Sequence, residues 1–459
     1  MIASEKRYHF VGIGGSGMSG LASVLMADGA RVSGSDLREC QEIARLRTAG
    51  ATIDVGHQAR HIDRPLDGVI VSSAIHGDNV EVAAARSHEI PVLMRLDALA
   101  SLLGRFRSIG VAGTHGKSTT SAMLATILRN VSYDPSFLIG AQCPALGGNA
   151  HLGASDWFVA EIDESDGLFV NVRPTIAVVT NIGTDHLHTY EGLTEIEKAF
   201  RRYASGAERV VLAIDDSHVN RLADSVPHAL TVGIDGAARL RGRHIRPQRF
   251  ATTFDVEFDG QLVASVKLPA PGRHNVQNAL CAIGAAILAG VAPADACAGL
   301  ESFVLPHRRF ELLEENGVTV IDDYAHLPDE VEATLDAIRA GWPGRRVVSV
   351  FQPHRYTRTR DLGFAFGAAF TGTDVAIVTD IYSACEAPIP GVSSRIIVDS
   401  IREQTSADVY HIAGKGQALE FLKARIEPGD FIVSFGAGDI WTVTEELSDF
   451  LIRGEFLER

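Results

Sequence analysis

Two glycine-broken turns constrain this chain more than any other feature. Residues 111–123 read VAGTHGKSTTSAM and residues 11–20 read VGIGGSGMSG. In each, an apolar run breaks into glycines and then into a helical pattern. A strand that turns straight into a helix must cross back over its sheet before the next strand begins. The two turns therefore predict parallel sheets, with ligands expected at the carboxyl ends of the strands.

The later turn has the layout of a loop that holds polyphosphate. Val111 stands where a full phosphate-loop pattern has its first glycine, but Gly113, Thr114, His115, Gly116, Lys117, Ser118 and Thr119 follow in order. Glycines let backbone N–H groups turn toward phosphate oxygens, and the helix start adds positive potential. Lys117 is placed to neutralise the β and γ phosphates of a bound polyphosphate, and the Ser118 hydroxyl to coordinate magnesium. Acids at the end of the next buried strand, Glu161, Asp163, Glu164 and Asp166, supply the hard oxygens that magnesium prefers. A further strand ends in TNIGTDHL, bringing Asp185 and His186 beside them if the strands are neighbours.

The earlier turn, with Gly12, Gly14 and Gly17, satisfies G-x-G-x-x-G, and Asp36 closes the second strand. By itself this pattern reads as NAD binding, and an NAD-dependent oxidoreductase is the reading of a different class. Any nucleotide diphosphate presents the same pyrophosphate and ribose, however, and no hydride-transfer site is evident downstream.

The same grammar continues through all 459 residues. It predicts an α/β protein of three consecutive domains: a Rossmann-like one over 1–106, a central phosphate-loop domain over 107–304, and a Rossmann-like one over 305–459. Between about Leu240 and Leu268 the pattern shifts to short alternating stretches, an expected antiparallel insertion. Lys plus Arg number 42 against 57 Asp plus Glu, a net charge of −15, which argues against a nucleic-acid partner. Five scattered cysteines with no C-x-x-C pair argue for a reducing compartment. The start, MIASEKRYHF, has charges where a secretion signal needs an apolar core, and the longest apolar run is too short to span a bilayer. A cytoplasmic protein without a membrane partner is expected.

In the last region VFQPHRYTRTR places His354, Arg355, Tyr356 and Arg358 just after a strand. Arg355 and Arg358 lie three apart, so one helical turn would aim both guanidinium groups at one carboxylate. DDYAH adds Asp322, Asp323, Tyr324 and His326 at another strand end, and Arg308 and Arg309 stand near the domain junction.

Taken in order, GIGGSGMSGLA, SSAI, GTHGKST, EIDESDG, TNIGTDHL, HNVQNAL, RRFE, DDYAH and FQPHRYTRT make the chain resemble the Mur ligase family over essentially its whole length. The resemblance implies an ATP-dependent ligase that joins L-alanine to the lactyl carboxylate of UDP-N-acetylmuramate in peptidoglycan precursor synthesis. It passes through an acyl phosphate and releases ADP and phosphate. By matching position, Gly14, Gly15, Ser16, Gly17, Met18, Asp36, Ser72 and Ser73 would hold the UDP-sugar. Residues 113–119 with Asn275, Asn278, Arg309 and Asp323 would hold ATP. Lys117, Glu161 and His186 would be catalytic, with Ser118, Glu161 and His186 linked to Mg2+. Tyr324, His326, His354, Arg355 and Arg358 would form the amino-acid pocket. The alternative within the family is a recycling ligase that adds a preformed peptide. A monomer or homodimer is expected. The chain departs from the family at Ser118, where threonine is common, at His188, where aspartate is common, and at Leu327, where a second histidine is common.

Overall fold

The Arg7–Val11 strand, RYHFV, is buried from Tyr8 onward, as an apolar run must be when helices cover both faces of its sheet. It is the middle of five parallel strands ordered Thr52–Val55, Arg31–Asp36, Arg7–Val11, Gly68–Val71 and Val92–Met94. The chain builds outward on one side of Arg7–Val11 and then on the other. The switch point thus falls between Arg7–Val11 and Gly68–Val71, where the glycine turn and Ser72 emerge. The computed structural model of the chain describes residues 2–183, 185, 190–315 and 317–454.

The second sheet has ten strands. At its centre Arg107–Ala112 runs parallel to Trp157–Glu161 on one side and Ile176–Val179 on the other. The phosphate loop therefore leaves its strand flanked by the acid segment and by Thr180 and Asn181. Beyond Leu230–Gly233 come Leu240–Gln248, Ala251–Phe258 and Gln261–Leu268. These last are joined by two-residue connections, which only antiparallel neighbours permit. The second connection is Asp259-Gly260, with φ of 48° and 79°, the left-handed pair a tight hairpin needs. This is the expected insertion, continuous with the sheet's edge.

The third sheet orders Glu311–Glu315, Thr319–Asp323, Phe431–Phe435, Val347–Phe351, Val375–Val378 and Asp408–His411. All are parallel except the edge strand Glu311–Glu315, whose register shifts between Leu312 and Glu314. Alternation divides its core in two. Val347 and Phe351 pack with Phe366 and Phe370 in one layer. Val348 and Val350 pack with Leu419 and Leu447 in the other. Packing divides the whole chain into two compact units, residues 1–245, 254–268 and 275–304, and residues 246–253, 269–274 and 305–459. Among the described residues no helix is long and apolar enough to cross a membrane.

Candidate active site

The phosphate loop is held open by groups that sequence separation hides. Gly113 has φ 145°, and a methyl group built on it would stand 2.0 Å from Thr180 Oγ1. Gly116 is the N-cap of the Lys117–Asn130 helix at φ 79°, and a methyl there would stand 2.3 Å from Asn278 Oδ1. Both glycines are obligatory for these reasons. Asn181 fixes the loop between them: its Oδ1 accepts from His115 N at 2.7 Å, and its Nδ2 donates to His115 O at 3.0 Å. Thr180 Oγ1 donates to the same carbonyl at 2.6 Å, and Gly183 N to Thr114 Oγ1 at 2.7 Å. Asn278 Nδ2 donates to Asn275 Oδ1 at 3.3 Å, so both asparagines expected at the nucleotide stand together behind Gly116. In Gly116→Ala the left-handed strain and the Asn278 contact together should raise KM for ATP about tenfold, measured by phosphate release.

Lys117 Nζ donates to Glu164 Oε2 at 2.7 Å and to the loop carbonyls Gly113 O at 2.6 Å and Thr114 O at 3.3 Å. Burial pushes the lysine down, but Glu164, Asp163 and Glu161 around it push harder and hold its ammonium above the usual range. Ser118 Oγ donates to Glu161 Oε2 at 2.7 Å, and Gly140 N donates to the same oxygen at 2.7 Å. This donor set fits Mg2+, which takes one or two protein oxygens and completes its shell with phosphates and water. Among the described residues no group of three His, Cys, Asp or Glu side chains could hold a metal. His186 and His188 lie outside the described residues.

The first cradle adjoins the second. Gly14 N donates to Asp36 Oδ2 at 2.8 Å, so this acid locks the turn that it was expected to serve. Gly15 caps the Ser16–Ala27 helix, whose first-turn residues include Gly17 and Met18. Asn149 Nδ2, from the segment leading into the Ala150–His151 strand, donates to Ser16 O at 3.1 Å. Gly20 approaches Leu138 so closely that an added methyl would stand 2.4 Å from its Cδ1. Ser72 N donates to Val11 O at 3.2 Å beside the turn, while Ser73 is exposed.

In the second unit the predicted amino-acid residues gather at strand ends. Tyr324 and His326 rings stand edge to face at 5.3 Å, His326 and His354 at 5.9 Å, and His354 stacks on Tyr382 at 5.7 Å. Arg358 Nη1 lies 3.0 Å from His354 Nδ1. Arg355 differs from expectation: it precedes the Tyr356–Leu362 helix at φ 74°, because its N–H is tied to Tyr382 O at 2.8 Å. A shared helical turn therefore does not align it with Arg358. Asp323 closes its own turn, accepting from Phe310 N at 2.9 Å and Ala325 N at 2.8 Å. Burial pushes its carboxyl up to about 6 against the pull of Arg309. Arg309 lies over the Tyr324 ring at 4.9 Å, and Arg308 binds Asp322 at 2.7 Å. Leu327 is buried. Tyr382, Thr180 and Asn181 were missed as site residues; only the polar TN at a strand's end signalled the latter two.

Parallel sheets with a glycine loop at each of two strand ends, and a half-buried lysine ringed by carboxylates, define a phosphate-loop enzyme that handles nucleotides. Three family models match: the Mur ligase family catalytic domain over residues 7–107, the Mur ligase middle domain over 111–286, and the Mur ligase glutamate ligase domain over 308–438. A UDP-N-acetylmuramate–L-alanine ligase of Trichlorobacter lovleyi is 41% identical over 97% of this chain and 99% of its own. One of Geotalea daltonii is 42% identical over 98% and 99%. The crystal structure of the UDP-N-acetylmuramate–alanine ligase MurC of Thermotoga maritima superposes with a TM-score of 0.84 at 30% identity, covering 98% of this chain and all of that one. This chain belongs to the Mur ligase family.

Proposed function

We propose that the protein joins L-alanine to the lactyl carboxylate of UDP-N-acetylmuramate at the expense of ATP. The reaction belongs to cytoplasmic peptidoglycan precursor synthesis. The observation that carries this reading is that both phosphate cradles lie in one unit, with Arg95 bordering Gly17 of the first and contacting Asp163 beside Lys117 of the second. A carboxylate does not acylate an amine at neutral pH, because oxide is a poor leaving group and phosphate a good one. One cradle must therefore deliver the acid and the other the phosphoryl group.

In this scheme Gly14–Met18, Asp36, Ser72 and Ser73 hold the sugar nucleotide. The loop 113–119, Asn275 and Asn278 hold ATP, with Arg309 and Asp323 in the third domain. Lys117 leaves Glu164 for the phosphates and neutralises charge spreading over the transferred group. Ser118 and Glu161, with His186, would hold Mg2+, which would supply Lewis-acid polarisation of the phosphate oxygens. The lactyl carboxylate oxygen attacks the γ-phosphorus and ADP departs. The neutral amine of alanine then attacks the acyl carbon, phosphate leaves with its bonding electron pair, and the nitrogen gives up one proton to the departing phosphate or to water. Arg358 and Arg355 hold the alanine carboxylate beside Tyr324, His326 and His354. The domains 1–106, 107–304 and 305–459 divide this labour.

Purified protein should release phosphate only when UDP-N-acetylmuramate, ATP, Mg2+ and L-alanine are all present. ATP cleavage indifferent to the sugar nucleotide would sink the scheme. A tripeptide that outcompetes alanine in the same assay would replace it with the recycling reaction.

A further inference from the structure

Arg95 opens the Arg95–Leu103 helix, directly after the Val92–Met94 strand of the five-stranded sheet. Its side chain leaves that sheet for the other cradle. Nη2 lies 3.3 Å from Asp163 Oδ2, on the acid segment of the ten-stranded sheet, and only 15% of the arginine side chain is exposed. The same guanidinium borders the first cradle, for a methyl group built on Gly17 would stand 3.1 Å from Nη1. One side chain thus spans from the sugar-nucleotide turn to the carboxylates around Lys117.

Its placement is electrostatically odd without an anion. The Ser16–Ala27 helix has no side-chain cap on Gly15 and no acid in its first turn. Its N–H groups and positive end are therefore left facing the cradle. Arg95 adds a full positive charge beside them. Asp163, with Asp166 also acting on the guanidinium, offsets this, but at a distance longer than a strong charged hydrogen bond. It also spends Oδ1 on Ser165 N at 3.1 Å. A group with several anionic oxygens, lying between the helix start and the guanidinium, would satisfy both at once.

We infer that Arg95 is a positioning residue that exchanges Asp163 for the pyrophosphate of the sugar nucleotide. This rests on the reading of the first loop as the sugar-nucleotide cradle. It explains why position 17 carries no side chain: the space is the arginine's. Asp163 acts as the resting counter-ion and competes with the substrate for the guanidinium.

Calorimetry with UDP-N-acetylmuramate, without ATP or Mg2+, tests the exchange. Arg95→Ala should weaken binding about 100-fold, and Arg95→Lys, which keeps the charge but not the fork, about tenfold. The Kd for ATP should change less than about threefold in both. Asp163→Asn should tighten sugar-nucleotide binding several-fold in the wild-type background and less than about twofold in Arg95→Ala, since only a competitor for Arg95 loses its effect when Arg95 is gone. Wild-type protein that binds ATP but no UDP-N-acetylmuramate would remove the reading of the cradle and this inference with it. Wild-type binding matched within threefold by folded Arg95→Ala, or an Asp163→Asn effect equal in both backgrounds, would overturn the inference and leave the cradle standing.

Discussion

Lys117→Ala should lower kcat by about a thousandfold, roughly 4 kcal/mol of transition-state stabilisation. The ammonium stands at the base of a glycine loop whose N–H groups cannot alone match the charge of three phosphates. The carboxylates around it, Glu161, Asp163 and Glu164, are repulsive to ATP. The variant also leaves Glu164 buried without its ammonium, and burial works against its ionised form. That carboxyl should take up a proton, so the fold should survive while turnover does not. Steady-state phosphate release together with a thermal midpoint separates the two effects. Turnover within tenfold of wild type would refute the role given to Lys117.

Glu81→Ala, in the Val80–Ser87 helix that packs on the first sheet, should destabilise the fold by about 3–5 kcal/mol. Glu81 is fully buried. Ser35 Oγ donates to its Oε2 at 2.5 Å, His57 Nδ1 lies 3.1 Å from the same oxygen, and His61 Nδ1 lies 2.5 Å from Oε1. His9 Nε2 approaches within 3.7 Å. Burial pushes the carboxyl up, but the polar contacts of His9, Ser35 and His61 outweigh it and bring it from the usual 4.5 down to about 2. Because the folded value is depressed, its contribution of roughly 3 kcal/mol is present above pH 4.5 and is lost as the pH falls toward 2. Urea midpoints at pH 7 and pH 3 should therefore differ less in Glu81→Ala than in wild type. Ser35 precedes Asp36, which holds Gly14, so KM for the sugar nucleotide should rise as well. A variant as stable as wild type would show that the network carries no net stabilisation.

Much of this was legible because it is local. The left-handed φ of Gly116, the helix that starts at Lys117 and the strand that ends at Ala112 follow from neighbouring residues. The run ATTFDVEF alternates, and it is the strand Ala251–Phe258. By contrast Ser136–Leu138 and Ala150–His151 are too short to show a period, yet they bring Asn149 and Leu138 to the first cradle. Arg355 departs from helical spacing because its N–H is bound to Tyr382 O, beside the His354–Tyr382 bridge, a contact no local pattern announces.

The sequence by itself determined the strand-turn-helix order, both glycine loops, the acid segment and the family, since each rests on residues adjacent in the chain. Only the tertiary structure decided that Thr180 and Asn278 shape the loop, that three histidines enclose Glu81, and that Arg95 spans to Asp163. Those contacts form between strand ends and loops that parallel crossovers bring together. No local pattern encodes which side chains meet there.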